Sequence, residues 1–398
     1  MKILLADRLH PSCISALEKL PGTEVINRPE LSAETLPEAV KDIDILVVRS
    51  TRVTAETIAA ARALSLIIRA GAGTNTIDVK AASARGIYVT NCPGKNSAAV
   101  AELTIGLMLA LDRHIVENVQ DLRAGKWNKK KYSKASGIKG RKLGIIGLGQ
   151  IGLCVLERCR AFGMSAIAWS RSLTPERAAE LGIEYASDPL IVAEKADVVT
   201  VHLALSQQTR SMIGAEFFSR MKPGAIFINT SRGEVVDEAA LAEALRSGKI
   251  LAGLDVFNNE PAASEAEFKT ELATFSNLYG THHIGASTDQ AEAETGQEVV
   301  RIVQSFLTGD EIPNCVNLRK PPSTRTGFVI RHEDRVGVLA SVFAVLKEHG
   351  CNVQEMQNQI FEGCQAASAK ILLAEPPPAE VKTKLETCDG VLYVSSIT

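Results

Sequence analysis

Short apolar runs alternate with amphipathic stretches through the first 96 residues: KILLA at the start, DILVV at 44–48, LSLIIRA at 64–70 and GIYVTN at 86–91, with a helix pattern over Ser12–Leu20. Strands and helices alternating at this length predict an α/β layer around a mainly parallel sheet. A long helical pattern follows from Ser97 to about Arg123, with Val100, Leu103, Leu107, Ala110 and Leu111 recurring on one face, so this helix can join two domains. A second series opens with KLGIIGLGQIG at 142–152 and continues through AIAW, DVVTVHL, AIFIN, ILAGLDV and NLYGT. Each apolar run is separated from the next by a helix-like segment, the layout of a doubly wound nucleotide-binding domain. A further helix from Asp289 to Leu307 stops before Gly309, a natural C-cap, and can return to the first domain. Residues 317–326 (NLRKPPSTRT) have linker chemistry. From Gly327 the order reads βαββαβ, a unit small enough to rely on packing against its own copy. The expected class is α/β: two doubly wound parallel-sheet domains, one from residues 1–96 and 285–316 and a Rossmann domain from 97–284, then a ferredoxin-like unit at 327–398.

Composition narrows the function. The 398 residues carry 44 Lys and Arg against 46 Asp and Glu, a net charge of −2, so no basic excess holds a phosphate backbone and nucleic acid is not an expected partner. Hydrophobic residues at 45% and charged residues at 23% fit a soluble globular chain. The opening MKILLADRLH places Lys2, Asp7 and Arg8 where a signal peptide would be apolar. The longest apolar run, about Ala98–Leu111, contains Glu102 and falls short of the ~20 residues of a membrane span, so a cytoplasmic protein with no membrane partner is expected. Eight cysteines show neither a C-x-x-C pair nor a histidine at finger spacing, which points to reduced thiols and no metal. Cys92, beside Pro93-Gly94, is the one thiol placed where it could react, though no neighbour in sequence would depress its pKa.

Gly147-Leu-Gly149-Gln150-Ile151-Gly152 follows an apolar strand and opens a helix pattern over Gln150–Phe162. Glycines there permit a tight turn and close approach to a pyrophosphate, whose charge the helix N-terminus stabilises. About 20 positions on, where a carboxylate would bind the ribose hydroxyls of NAD, the chain reads Ser170-Arg171. A hydroxyl and a cation accept the 2′-phosphate of NADP, alone or alongside NAD; the other reading leaves Arg171 merely solvated.

Three strands of the second series end in polar segments: Asn229–Asp237 with Ser231 and Arg232, Leu254–Pro261 with Asp255 and Glu260, and Thr281–Thr288 with His282 and His283. Carboxyl ends of strands line the ligand crevice of such a sheet. An arginine can grip a carboxylate or polarise a carbonyl, and a histidine beside a carboxylate can move a hydroxyl proton. Arginine, carboxylate and histidine together make a 2-hydroxy acid site.

These segments, with Ala70–Asp78, the Pro93-Gly94 turn and Asn96, and Val100–Glu102, resemble the D-isomer-specific 2-hydroxyacid dehydrogenases along the whole chain. The resemblance implies a flavodoxin-like substrate domain. Arg232 would bind substrate, Glu260 would support the histidine and His283 would donate the proton. Around an NAD cofactor it places Ala72, the glycine motif with Gln150 and Ile151, Ser170, Arg171, Ser231, Asp255 near the nicotinamide amide, Gly285 and Ala286. It further implies that amides near Ala72 and Gly73 take the substrate carboxylate and that the Arg49-Ser50-Thr51-Arg52 turn meets the substrate, its two arginines at a distal phosphate. Asn96 joins the substrate and Lys95 is a further candidate. Two departures stand out: Thr281-His282-His283 replaces the family's Thr-Pro-His, and Ser170 replaces its aspartate. Within the family the likeness points to interconversion of 3-phospho-D-glycerate and 3-phosphohydroxypyruvate on the way to L-serine. The alternatives are a hydroxypyruvate, glyoxylate or other D-2-hydroxyacid reductase and, from another class, a dinucleotide-sensing corepressor-like protein. The tail, with Arg331–Leu339 and Asn352, resembles an ACT domain, in which His332, Asp334 and Asn352 would hold an L-serine effector at a subunit interface. Asp334 stands where asparagine is usual, and the rival reading is a tail that only associates. A homodimer or homotetramer is expected.

Overall fold

The computed structural model describes residues 1–261, 265–319 and 325–397. Met1–Asn317 and Leu318–Thr398 are separate compact units; the expected linker at 317–326 lies partly outside the described residues. In the first unit five short strands, β1 (Lys2–Leu5), β2 (Glu24–Asn27), β3 (Ile45–Val48), β4 (Leu66–Arg69) and β5 (Tyr88–Asn91), form a parallel sheet in the order β2-β1-β3-β4-β5. Its inner strands are buried on both faces, which is why they read as unbroken apolar runs. The order reverses between β1 and β3, the switch point of a flavodoxin-like sheet.

The second sheet is also parallel. Strands β6 (Lys142–Ile146), β7 (Ser165–Trp169), β8 (Glu184–Tyr185), β9 (Val198–Val201), β10 (Ala225–Asn229), β11 (Ile250–Leu254) and β12 (Leu278–Gly280) take the order β12-β11-β10-β9-β6-β7-β8. This is the doubly wound nucleotide-binding order, with its switch point between β6 and β9.

Four helices position the site. Helix α1 (Pro11–Glu18) covers the first sheet. Helix α2 (Ser97–Arg113) leaves the first sheet after β5 and packs on the second against β10 and β11. Where the sequence pattern predicts one helix to about Arg123, the chain breaks: His114 adopts φ +50° and ψ +43°, capping α2, and a separate α3 (Ile115–Arg123) follows. The cause is burial. The α2 face sits in the second core, whereas α3 buries no residue and turns away. Helix α4 (Gln150–Ala161) follows β6, and α5 (Asp289–Thr308) returns to pack on α1, with Gly309 at φ +75° as its C-cap.

The second unit has the expected βαββαβ order: β13 (Thr326–Glu333), α6 (Val338–Glu348), β14 (Val353–Ile360), β15 (Ala366–Leu373), α7 (Ala379–Glu386) and β16 (Val391–Ile397), with antiparallel order β14-β15-β13-β16. Phe328, Ile330, Val342, Leu346, Ile371 and Val394 form its core. Among the described residues no helix is long and apolar enough to cross a membrane.

A left-handed conformation costs a residue with a Cβ about 1 kcal/mol relative to glycine. His114→Gly is therefore expected to raise stability by about that amount, read as an increase of a few degrees in Tm; a fall would show that the histidine side chain, not the break, is what the junction needs.

Candidate active site

Asp255, just past β11, is buried and shapes the loop after β12. Its Oδ1 accepts from Thr281 Oγ1 at 2.6 Å and from the Ile284 amide at 2.9 Å, and its Oδ2 from the Gly285 amide at 2.8 Å. Its carbonyl accepts from the His283 amide at 2.8 Å. These bonds hold His283 at φ +53°, a backbone conformation that persists only where the surroundings over-determine it. A Cβ on Gly285 would lie 2.9 Å from Asp255 Oδ2, so glycine is needed for that approach. Both Asp255 oxygens thus anchor the loop that carries His283.

The His283 ring is half exposed, and its Nδ1 lies 2.6 Å from Glu260 Oε2. Glu260 Oε1 accepts from the Phe257 amide at 2.7 Å. Burial acts to raise the Glu260 carboxyl, but the bonds from His283 and Phe257 and the charges of His283 and Arg232 outweigh it, holding the group below its ordinary value. An ionised Glu260 can only accept, so Nδ1 carries the proton and Nε2 is left to meet a reactant. His282 is exposed and makes no hydrogen bond through its side chain among the described residues.

Arg232 follows β10 through a turn that Asn229 fixes. Asn229 Oδ1 accepts from the Ser231 amide at 3.0 Å and from its hydroxyl at 2.7 Å, while Asn229 Nδ2 donates to the Arg232 carbonyl at 2.9 Å. A side chain on Gly233 would overlap the backbone of Phe257, so this glycine lets the Arg232 turn lie against the Glu260 loop. The Arg232 guanidinium donates to the Ser231 carbonyl at 2.6 Å, and its Nη2 comes within 2.5 Å of where a Cβ on Gly73 would stand. Burial lowers its pKa, opposed by Glu234 and Glu260.

Gly73 belongs to the loop after β4, and that strand ends in Arg69. Arg69 is half-buried, its Nε shielded from solvent and without a hydrogen-bond partner among the described residues, and its pKa is pulled down to about 10 by burial and then by the charges of Arg232 and Arg49. Gly71, at φ +149°, leaves room for its guanidinium. A buried donor atom without an acceptor is costly, and the like charges of Arg232 and Arg49 add to the cost at Arg69. A cavity beside them is lined by Arg8, Arg49, Arg69, Asn96, Ala286 and Glu292. Asp7 accepts from the amides of Arg49, Ser50 and Thr51 at 2.7, 3.1 and 3.0 Å, fixing that turn. Arg49 pairs with Glu292 at 2.8 Å, Lys95 turns to Glu298 at 3.4 Å, and Arg52 is exposed. Asn96 faces the cavity with a buried Oδ1 that has no partner. Asp7 and Glu292 escaped the sequence reading, and Arg69 was legible there only as the cation that closes a strand, without a role; Glu292 is legible only as a polar position of α5. Cys92 is buried, its thiol pushed up to about 12, which removes it as a nucleophile.

The glycine motif forms a cradle at the β6/β9 switch point. Gly147 has φ +96°, and a Cβ there would stand 2.5 Å from the His202 carbonyl oxygen; a Cβ on Gly152 would stand 2.5 Å from that of Gly147. Gly149 faces open space at the start of α4. Ile151 packs into the core beneath, while the Gln150 side chain reaches over to lie on Gly94. Ser170, Ser172 and Arg177 line a second cavity with Leu148 and Leu153, and Arg171 is exposed beside it. Ala72, by contrast, presents its carbonyl to Asn91 Nδ2 at 2.6 Å.

Residues 105–285 match the family model described as D-isomer specific 2-hydroxyacid dehydrogenase, NAD binding domain. A hydroxypyruvate reductase of Thermotoga maritima is 42% identical over 277 residues, 69% of this chain and 88% of that protein. The chain belongs to this dehydrogenase family. A D-3-phosphoglycerate dehydrogenase of Methanocaldococcus jannaschii is 42% identical over 329 residues, 82% of this chain and 61% of that protein. The chain thus matches about three fifths of that relative's length. The crystal structure of an NAD+-bound 3-phosphoglycerate dehydrogenase of Entamoeba histolytica superposes with a TM-score of 0.68 at 26% identity, covering 80% of this chain and 99% of that one. The glycine cradle fits the family's dinucleotide: close backbone at Gly147 and Gly152, open space at Gly149, and a helix N-terminus aimed at the pyrophosphate.

In the second unit His332 is buried; its Nε2 lies 3.0 Å from Asn358 Oδ1 and its Nδ1 2.7 Å from the Glu333 carbonyl. His332 and Ile360 both stand opposite Ala367, whereas Val353 stands opposite Leu373. His332 and Asp334 are therefore at one end of the sheet and Asn352 at the other. Within one chain the three expected effector residues do not converge, because β13 and β14 run parallel on either side of β15.

Gly152→Ala places a methyl group against a carbonyl of the cradle and is expected to weaken NADH binding at least ten-fold, read by fluorescence titration; unchanged binding would show that the turn can widen.

Proposed function

We propose that this chain interconverts 3-phospho-D-glycerate and 3-phosphohydroxypyruvate by reversible hydride transfer with a nicotinamide dinucleotide. The observation that carries the reading is the convergence of Arg49, Arg69 and Arg232 beside the His283–Glu260 pair. Residues 1–96 and 285–316 serve as the substrate domain and 97–284 as the dinucleotide domain. Arg232 and the amides near Gly73 take the carboxylate, and Arg49 and Arg69, with Arg52 and Ser50 at the rim, take the phosphate. In reduction a hydride adds to C2 and His283 Nε2 gives its proton to the ketone oxygen, leaving the imidazole neutral beside ionised Glu260. In oxidation the same nitrogen takes the hydroxyl proton as the hydride leaves.

NAD is the family's cofactor; Ser170, Ser172 and Arg177 around a cavity with no carboxylate in its lining support acceptance of NADP as well. Helix α3 exposes Ile115, Val116, Val119 and Leu122, with Trp127 beyond it, which supports self-association of the chain. The tail serves as an ACT-type regulatory unit, with L-serine held between two copies, since only a second copy could bring Asn352 to His332 and Asp334. A hydroxypyruvate reductase is the second reading, supported by the Thermotoga relative, most of whose length the chain spans.

Reduction of 3-phosphohydroxypyruvate, hydroxypyruvate and glyoxylate, each with NADH and NADPH, tests this. A strong kcat/KM preference for the phosphorylated acid is expected; parity would move the chain to the reductases. His283→Ala is expected to lower kcat by about 10²–10⁴-fold with NADH binding retained. An active variant would defeat the proton assignment.

A further inference from the structure

The cavity beside the arginines contains an anion of the protein's own. Glu292 stands in the first turn of α5, and its Oε1 lies 2.8 Å from Arg49 Nη1; the two side chains are 34% and 31% exposed. Arg69, on the neighbouring strand, is half-buried with its Nε shielded and unpaired among the described residues, and Arg8 lines the same cavity. Three arginines and one carboxylate thus line the cavity, the carboxylate held against Arg49. His10, also at the rim, is turned to Asp289 at 3.3 Å.

A carboxylate oxygen on a guanidinium stands where a phosphate oxygen would stand. We propose that Glu292 is a specificity-determining residue that competes with the substrate's distal phosphate for Arg49. This rests on the function proposed above. A phosphate monoester carries up to two charges and three acceptor oxygens, enough to engage Arg49 and the unpaired Arg69 together, whereas Glu292, fixed to its helix, pairs with Arg49 alone. The phosphate displaces Glu292 and is held less tightly than three arginines would otherwise hold it, because a carboxylate stays nearby. An acid with an uncharged tail has nothing to exchange for the ion pair and leaves Glu292 in place. The residue thereby moderates phosphate affinity and keeps Arg49 from being an unpaired charge between turnovers.

The test uses the full chain and two readouts for Glu292→Gln. The first is the thermal upshift produced by inorganic phosphate, which needs no turnover. The second is the ratio of KM for 3-phosphohydroxypyruvate to KM for hydroxypyruvate. Removal of the competing charge is expected to lower the phosphate concentration giving half the upshift, and the KM ratio, each by about ten-fold, the change that 1.4 kcal/mol of differential interaction produces. The double variant R49Q/E292Q is expected to lose that gain, as coupled residues must. Weaker phosphate binding in E292Q would instead make Glu292 a support for Arg49, and unchanged readings would make the pair a surface contact; either overturns the proposal. A wild-type chain with no preference for the phosphorylated acid, while E292Q still tightens phosphate, would overturn the proposed substrate and leave the competition standing.

Discussion

Mutual repulsion among Arg49, Arg69 and Arg232 is the constraint around which this site is arranged. Burial disfavours the charges of Arg69 and Arg232, and the proximity of Arg232 and Arg49 adds to the cost at Arg69. The scaffold withstands this because the guanidiniums come from three strand ends whose backbones are fixed independently: by Asp7 under the Arg49 turn, by Gly71 beside Arg69 and by Asn229 under Arg232. The result is a positive field organised before any substrate arrives, so little reorganisation is required when an anion binds. Glu260 and Glu292 offset part of the charge, and their placement divides the site. Glu260 holds His283, and Glu292 holds Arg49, which on the proposed function are the reacting end and the distal end.

The reacting end shows how a loop is made rigid enough for proton transfer. A half-exposed histidine would sample many positions if its backbone were free. Asp255 takes that freedom away with four bonds to consecutive parts of the 281–285 loop, and the left-handed backbone at His283 is a consequence of that pinning. Glu260 then fixes the ring from the other side. The carboxylate that never reaches the ring determines where the ring is, and the one that touches it determines which nitrogen faces the cleft.

Much of this was legible in the chain. Strands buried on both faces announce themselves as apolar runs, and the residues that end them, Arg232, Glu260 and His283 among them, are found by position alone. β2 and β8 went unread because they are edge strands with exposed or half-exposed residues, and so carry no apolar run. The break at His114 has no glycine or proline to mark it; it arises because one face of α2 has a core to bury and α3 does not. Arg69 and Glu292 were illegible as a site for a different reason. Their meaning depends on which charges surround them, and those neighbours come from distant segments, Arg232 for Arg69 and Arg49 for Glu292. In the tail, the register across β15 puts His332 and Asp334 at one end of the sheet and Asn352 at the other, an arrangement the sequence pattern alone does not reveal.

Gln150 links the glycine motif to the Gly94 turn. It stands inside the glycine motif at the start of α4, and its side chain lies on Gly94, whose φ of +81° belongs to the turn that leads into Asn96. Asn96 lines the arginine cavity with a buried oxygen lacking a donor. The wall that would receive substrate and the helix end that would receive pyrophosphate are thus in contact through one amide side chain. A dinucleotide that shifted the start of α4 would either move Gly94 or break that contact.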